Sequence, residues 1–557
     1  MFGPNLVMRS VPGEAWTGQP TLYIVAPWTD DSPQQWQKVV STLKKYVDSL
    51  TNNPTWRHVD IAVEMVAAEL VMPKYTAPVV GNQTLEEDWS AIGQMVLSTM
   101  ESYTLTKSCT TSISLFHLGY DEVAHLNPVT VYISVGHSCS EDVWPLVLDT
   151  IQERLNKTPH NLTAYIEYNE FKDLAVQLLS PTHNEVASAP DRLKQLKRPY
   201  DDVAHLGANI GSSLHLQRDD GKLCSPSYGT LGCYVEILRD GNSAWEKFAL
   251  TNYHVIRPAF QGFPLKAVPK ETQAAPQEQS TTASTQTTLQ SIPDAPQPDS
   301  NLCKYDRKGF GPKTASPLME SPSRYRHNCA IEDARGLIAI KVATILDQEI
   351  LEQKLSFFDR GRHNLGVGWA GSGLAAQTPD GPEGVRRLDW ALIDVVANRR
   401  GTNRLPAGEA WVSTGTPVEL IPAHLGGMSL GQPSTSTLHQ LVSGKPVYKV
   451  GTASGATVGY SNRYKTVTFL NHDRHLPRKE SNECLVMGRA GATFAIPGDS
   501  GSVVFTESGE AVGLVFARAI NPQQTNDSHT LVTPLGDVFD HIRKLSGGRI
   551  REVRIAQ

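Results

Sequence analysis

The spacing of apolar residues changes near residue 200, and that change bounds the folds open to this chain. Ahead of it one pattern occurs twice: PTLYIVAPWTDDSPQQWQKVVSTLKKYV begins at Pro20 and PVTVYISVGHSCSEDVWPLVLDTIQERL at Pro128. Each has a β-branched run, a polar break with helix-capping residues, and a tryptophan, Trp36 or Trp144, opening an amphipathic stretch. Apolar residues at Trp36, Val39, Val40, Leu43 and Val47, and at Trp144, Val147, Leu148, Ile151 and Leu155, match a helical period. A strand-like run follows each, HVDIAVEMV from His58 and LTAYIEYN from Leu162, and a third helical stretch, LEEDWSAIGQMVLSTM, lies between them. Two strand–helix–strand units predict an α/β domain over residues 1–180. His137, Cys139 and Glu141 form a short cluster without a second half, which reads as a loop and not a metal site.

A polar, mixed stretch, HNEVASAPDRLKQLKRPYDD, predicts a linker over 181–204. From about residue 205 to 545 the runs are short, alternating and bounded by Gly and Asn, as in GTLGCYVEIL and KFALTNYHVI, which predicts an all-β unit. It is interrupted by an insertion over about 262–360. Its first part, residues 271–301, is rich in Gln, Thr, Ser and Pro, cannot bury a core, and is expected to be disordered. A helical segment follows, with Ile338, Val342, Ile345 and Leu346 on one face, running to about Phe358. Strand texture returns at LDWALIDVV, YKVGTASGATVGYS, TVTFLN, GSVVF and EAVGLVF, the helix TPLGDVFDHIRKL closes the unit, and residues 546–557 read as a tail.

Composition narrows the function classes. At 557 residues the chain has room for three or four domain-sized pieces, and 40% hydrophobic against 19% charged residues supports packed cores. A net charge of −6 with no basic face argues against nucleic acid as a partner. No run of about 18 apolar residues is present, so no membrane span is expected, and the start lacks the apolar core of a secretory signal. Seven dispersed cysteines without a CxxC pair read as reduced thiols, which points to the cytosol. No metal or cofactor is expected.

The stretch IPGDSGSVVF, residues 496–505, carries the chemistry. A serine nucleophile needs a neutral imidazole as base, a carboxylate to hold that imidazole in one tautomer, and donors for the developing oxyanion. His254, in ALTNYHVI at the end of an apolar run, is the candidate base. Asp389, in RRLDWALIDVV, is the candidate acid: a carboxylate beside so apolar a run needs a fixed partner, and Asp394 is its rival within the segment. His254, Asp389 and Ser500 therefore stand in the order His, Asp, Ser, each at the edge of a β-like run.

With TNYHVI, LDWALIDV, PGDSGSVVF and YKVGTASGATVGY in that order, the chain resembles the trypsin-like, chymotrypsin-fold serine peptidases over about residues 205–545. Within them it is most similar to the fungal intracellular signalling-type members. The resemblance implies that the all-β unit following the α/β domain is a double barrel, and a serine endopeptidase acting on protein or peptide substrates through His254, Asp389 and Ser500. It places the oxyanion hole at the backbone N–H groups of Gly498 and Ser500, and the substrate pocket at Phe494, Phe516 and Ala517. No side chain there would pair with a buried cation, so cleavage after small or medium uncharged side chains is expected, and little after Arg or Lys.

Two departures stand out. His254 and Asp389 are far apart in sequence, with the insertion between them. The activation site of the secreted members, whose cleavage frees an N-terminal amine to pair with the acid before the nucleophile, is missing although Asp499 is present. Control is then expected from the N-terminal domain, from a partner, or not at all. The alternative reading is a catalytically silent protease-fold scaffold or signalling module.

Overall fold

The computed structural model describes residues 4–11, 14–29, 31–51, 60–173, 199–212, 216–217, 223–224, 228–261, 300–312, 314, 316–339, 344–375, 384–433, 444–469, 476, 478–489, 492–520 and 529–557. The tract 271–301, apart from Ser300 and Asn301, and most of the stretch 181–204 lie outside them.

Both strand–helix–strand units form. β1 (Asn5–Val11) and β2 (Glu14–Ala26) precede the helix Ser32–Thr51, and β3 (Ala62–Ala67) returns parallel to β2. β4 (Tyr75–Ala77), the helix Gln83–Ser102 and β5 (Thr110–Gly119) lead into β6 (Val129–Val135), the helix Trp144–Leu155 and β7 (Thr163–Tyr168), again with parallel return strands. The short β8 (Glu170–Asp173) follows. The two units do not share a sheet: β1–β3 stand as three strands, whereas β5–β7 extend a larger sheet formed by the second half of the chain.

That half is two β layers. It begins with β9 (Asn209–Ser212), a short ladder of β10 (Leu216–Gln217) and β11 (Leu223–Cys224), β12 (Tyr228–Thr230), β13 (Cys233–Arg239), β14 (Trp245–Thr251), β15 (Leu318–Glu320), β16 (Asn364–Gly371) and β17 (Ala391–Val395). It continues through β18 (Pro446–Gly451), β19 (Gly455–Thr468), β20 (Ser481–Gly488), β21 (Val503–Thr506), β22 (Ala511–Ile520) and β23 (His529–Pro534). The helix Leu535–Leu545 and β24 (Ile550–Ile555) come last. The first sheet runs β12-β9-β15-β16-β17-β14-β13-β24; the second runs β18-β21-β22-β23-β20-β19 and closes into a six-stranded barrel through β18–β19 pairing.

Period-2 alternation explains how both faces are filled. On β17, Ala391 and Ile393 pack with Tyr253 and Val255 in the core of the first sheet, an open barrel whose end strands β12 and β24 do not pair among the described residues, while Leu392 joins the cluster between the barrels. On β21, Val504 points into the second barrel with Val486, Val515 and Val532, while Val503 and Phe505 face that same inter-barrel cluster. Strands buried on both faces read as continuous apolar runs, as LDWALI and GSVVF do.

Several expectations need correction. The insertion 262–360 is not wholly outside the barrel, because β15 pairs with both β9 and β16. Its helical segment is two helices, Arg324–Ala339 and Ile345–Asp359. The Thr344 side chain and Asp347 form a capping box that starts the second in a new phase and leaves Ile345 and Leu346 exposed. Nor is residues 1–180 a domain packed apart from the barrels. β5 pairs with β19 at Val467↔Ile113 and Thr468↔Ser112, and Tyr464 and Val467 of β19 share a core with Trp89, Ile92 and Ile151 of the N-terminal helices.

Residues 546–557 are not a tail. β24 pairs with β13 from Val235↔Ile555 to Arg239↔Ile550, and Ile555 is fully buried. Replacing Ile555 with Ala is therefore expected to cost about 2–5 kcal/mol, as for other core aliphatic truncations. A lowered unfolding midpoint in thermal or denaturant melts would show it; an unmoved midpoint would return these residues to the status of a tail.

Candidate active site

The register of β14 and β17 brings His254 and Asp389 together. Thr251 pairs with Ala391, so the residues just after β14 and just before β17 meet although 135 residues separate them. His254 sits on a single helical turn, Tyr253–Ile256, and Asn252 Nδ2 donates to the Asp389 carbonyl at 2.6 Å. One Asp389 oxygen accepts the His254 backbone N–H at 3.0 Å, and the other lies 2.6 Å from His254 Nδ1. Asp389 holds this position at φ +37°, a region that non-glycine residues rarely enter. An ionised carboxylate only accepts, so Nδ1 carries the ring proton and Nε2 keeps its lone pair. Ser500 Oγ lies 2.6 Å from that Nε2. Asp389 and Ser500 are fully buried, and His254 is 5% exposed. Asp394, the rival acid, is a half-exposed residue 3.4 Å from Arg400.

The turn that carries Ser500 is held from both barrels. Thr230 N donates to the Ser500 carbonyl at 2.7 Å, and Thr230 Oγ1 donates to the Gly498 carbonyl at 3.0 Å. Gly501 N donates to Val515 O at 3.0 Å. The Asp499 carbonyl accepts both Ser502 N and Ser502 Oγ, which turns the following Ser500 N–H the other way. Among the described residues neither Gly498 N nor Ser500 N meets an acceptor, so both remain available as donors beside Ser500 Oγ. Gly498 (φ +103°) and Gly501 (φ +90°) must be glycines: a Cβ would stand 2.5 Å from the Tyr228 ring in the first case, and 2.4 Å from Thr230 O in the second.

The Asp499 side chain anchors this turn in a way sequence reasoning missed. Oδ2 accepts Lys449 Nζ at 2.9 Å and Ile496 N at 3.0 Å; Oδ1 accepts Ala453 N at 3.0 Å and Ser454 N at 3.1 Å. Lys449 and Asp499 are both fully buried. Lys449 thus fills, from within the uncleaved chain, the place that the resemblance assigns to a freed N-terminal amine. Its signal was a lysine inside the apolar strand YKVG. Burial alone would raise the Asp499 carboxyl, but the Lys449 cation and the hydrogen bonds outweigh it and hold it below the usual range. The stabilisation is therefore complete at neutral pH and lost as pH falls through that lowered value.

The pocket residues are placed differently from expectation. Phe494 is fully buried among Val486, Ala495, Val504 and Val515 inside the second barrel, with Lys449 Nζ 5.5 Å from its ring centre. Phe516 and Ala517 are buried on the barrel's outer side, covered by Phe116, Tyr132 and Phe171 of the N-terminal region. They do not line a common open pocket because the N-terminal strands pack over β22. His137, Cys139 and Glu141 lie together in the loop after β6, where His137 stacks on Tyr168. No group of potential metal ligands occurs among the described residues, nor is any helix there long and apolar enough to cross a membrane.

No family model matches the chain, and no curated protein matches it in sequence. Among solved structures it is similar to a chymotrypsin from Cellulomonas bogoriensis, with 14% identity over 34% of this chain and 75% of that one, at a TM-score of 0.20. Protease A of Thermobifida fusca matches at 12% identity over 34% and 75%, TM-score 0.21. A Nocardiopsis protease matches at 14% over 35% and 82%, TM-score 0.21. These similarities do not reach the fungal signalling branch.

Replacing Lys449 with Met should leave the Asp499 carboxylate buried without its cation, at a cost of about 3–5 kcal/mol. The expected result is a lower melting midpoint together with a disordered oxyanion turn; a variant that melts like the wild type would remove Lys449 from the site's architecture.

Proposed function

We propose that the chain is a serine endopeptidase that cleaves peptide bonds through an acyl-enzyme, with its N-terminal region restraining it. The observation that carries the reading is the unbroken chain from Asp389 through His254 to Ser500, with the Gly498 and Ser500 N–H groups left without an acceptor beside it. Ser500 Oγ attacks the substrate carbonyl carbon as its proton passes to His254 Nε2. The carbonyl oxygen becomes an oxyanion facing Gly498 N–H and Ser500 N–H. His254 then returns the proton to the departing amine, and water repeats the sequence on the acyl-serine, restoring Oγ–H.

The restraint rests on β8. β21 pairs with β22 only as far as Leu514; beyond it, β8 runs antiparallel along Ala517–Ile520, from Ala517↔Asp173 to Ile520↔Glu170. An extended peptide entering from beside Ser500 would add to that same stretch of backbone. Phe171 seals the contact by packing with Phe516, Ala517 and Ala519. Substrate entry then requires β8 to leave, which suits a regulatory enzyme and supplies the observation in favour of a silent form of this chain. The six cysteines whose side chains are described are free thiols, in keeping with a reducing intracellular compartment.

Labelling of the full chain by a fluorophosphonate, lost in Ser500→Ala, tests the chemistry; a wild type that stays unlabelled under every condition would leave only the scaffold. Ser500→Ala and His254→Ala should each reduce peptide turnover by about 10³-fold or more, and the double variant should lose little beyond either one. Losses that multiply would separate the two residues. Asp394→Asn should match the wild type. Phe171→Ala should loosen β8 and raise peptide hydrolysis by about tenfold or more, given the ~3–5 kcal/mol that a buried phenyl ring contributes. Unchanged or lower turnover in a folded Phe171→Ala protein would remove β8 as a restraint.

A further inference from the structure

The two arginines before Asp389 are buried to a depth that guanidinium groups seldom reach, 0% exposed for Arg386 and 1% for Arg387. Arg386 is accounted for by Asp537, 2.8 Å away on the helix Leu535–Leu545. Arg387 reaches instead into the triad. Its Nη2 lies 2.8 Å from Asp389 Oδ2, the same oxygen that faces His254 Nδ1 at 2.6 Å. Its own backbone belongs to the other barrel: Arg387 N donates to Glu483 of β20 at 2.9 Å, and its carbonyl accepts Thr533 Oγ1 of β23 at 3.0 Å. The guanidinium carbon stands 5.7 Å from the centre of the Phe516 ring on β22.

We propose that Arg387 is a positioning residue of the triad: anchored on the second barrel, its guanidinium orients the Asp389 carboxylate and compensates its charge, so that His254 works against an Arg–Asp pair and not a lone anion. The proposal rests on the serine-peptidase reading only for its catalytic consequence. The effect on the imidazole follows from the contacts alone. A carboxylate shared with a cation at 2.8 Å draws less positive charge onto its neighbour than a bare one does. Shared acceptance at Oδ2 also leaves Oδ1 for the His254 backbone N–H, so both oxygens of a residue at φ +37° are held.

The other charged or titratable groups around the imidazole are engaged elsewhere. Glu483 receives the Arg387 backbone N–H, and burial pushes its carboxyl up. Asp499 is held by Lys449. Tyr253 and Arg257, on the helical turns beside His254, both bond Asp306. Arg387 thus places a cation directly on the Asp389 oxygen that also faces the imidazole.

The test compares Arg387→Met and Arg387→Gln with the full-length wild type. The first readout is the His254 titration, followed by NMR of the imidazole Cε1–H signal and assigned by its loss in His254→Gln. The second is the rate of Ser500 labelling by diisopropyl fluorophosphate. Removing the cation should raise the His254 midpoint by about one pH unit in both variants. Labelling at the optimum should fall by about 100-fold in Arg387→Met, and recover in large part in Arg387→Gln, which keeps an N–H donor. A residue that only braces the two barrels would lower the melting midpoint and leave the titration where it was. A midpoint that does not move in the folded variants overturns the proposal, whatever the labelling does. If Arg387→Met does not fold, Arg387→Gln decides by the same criterion. A raised midpoint in a protein that never labels would sustain the Arg387 assignment while sinking the peptidase reading.

Discussion

Four hydrogen bonds converge on the Asp499 carboxylate, one from a lysine ammonium, with neither side chain open to solvent. A buried ion pair of this kind is costly unless every lone pair is used, because desolvation of two charges rivals their mutual attraction. Here each oxygen takes two donors, and three of the donors are backbone N–H groups from the turns on either side. The carboxylate therefore specifies a backbone path more than it adds stability. It sets the loop after β18 and the turn before Ser500 against each other, and that turn orients Gly498 N–H and Ser500 N–H.

The site is assembled across the gap between two barrels, and the contacts that cross it come in a definite set. The first barrel contributes His254 and Asp389 through the β14–β17 register, and the second contributes Ser500 ahead of β21. Thr230 of β12 crosses to the Ser500 turn with two hydrogen bonds. Arg387 crosses in the other direction, its backbone on β20 and β23 and its guanidinium on Asp389. The 2.6 Å bond from His254 Nε2 to Ser500 Oγ depends on these links, since a shift of one barrel by about an ångström would break it.

The N-terminal region is built into this arrangement. β5 continues the sheet of the second barrel, one face of β5 and β6 is covered by helices, and the other face lies on β20, β22 and β23. A strand such as GLVFARAI is apolar through Ala517 because both of its faces are buried there, one in the barrel and one under Phe116, Tyr132 and Phe171. From the strand alone, that second cover was indistinguishable from a pocket wall.

Local pattern determined a good deal of this protein. The 3.6-residue spacing around Trp36 and Trp144 marked both helices, the β-branched runs beside them marked their parallel partners, and the short alternating runs after residue 205 marked a double β layer. The order His254, Asp389, Ser500, each at the edge of an apolar run, named the three residues that the structure brings into one hydrogen-bonded chain. Tertiary structure alone decided the rest. That Ile550 and Ile555 close a sheet, that Thr344 resets a helix, and that β8 lies along β22 are outcomes of long-range pairing, which leaves no short-range period to read. Lys449 and Arg387 were hidden for the same reason. A charged residue within an apolar stretch signals a buried partner, but which carboxylate it meets depends on strands brought together from 50 residues away in one case, and on the unusual backbone of Asp389 at φ +37° in the other.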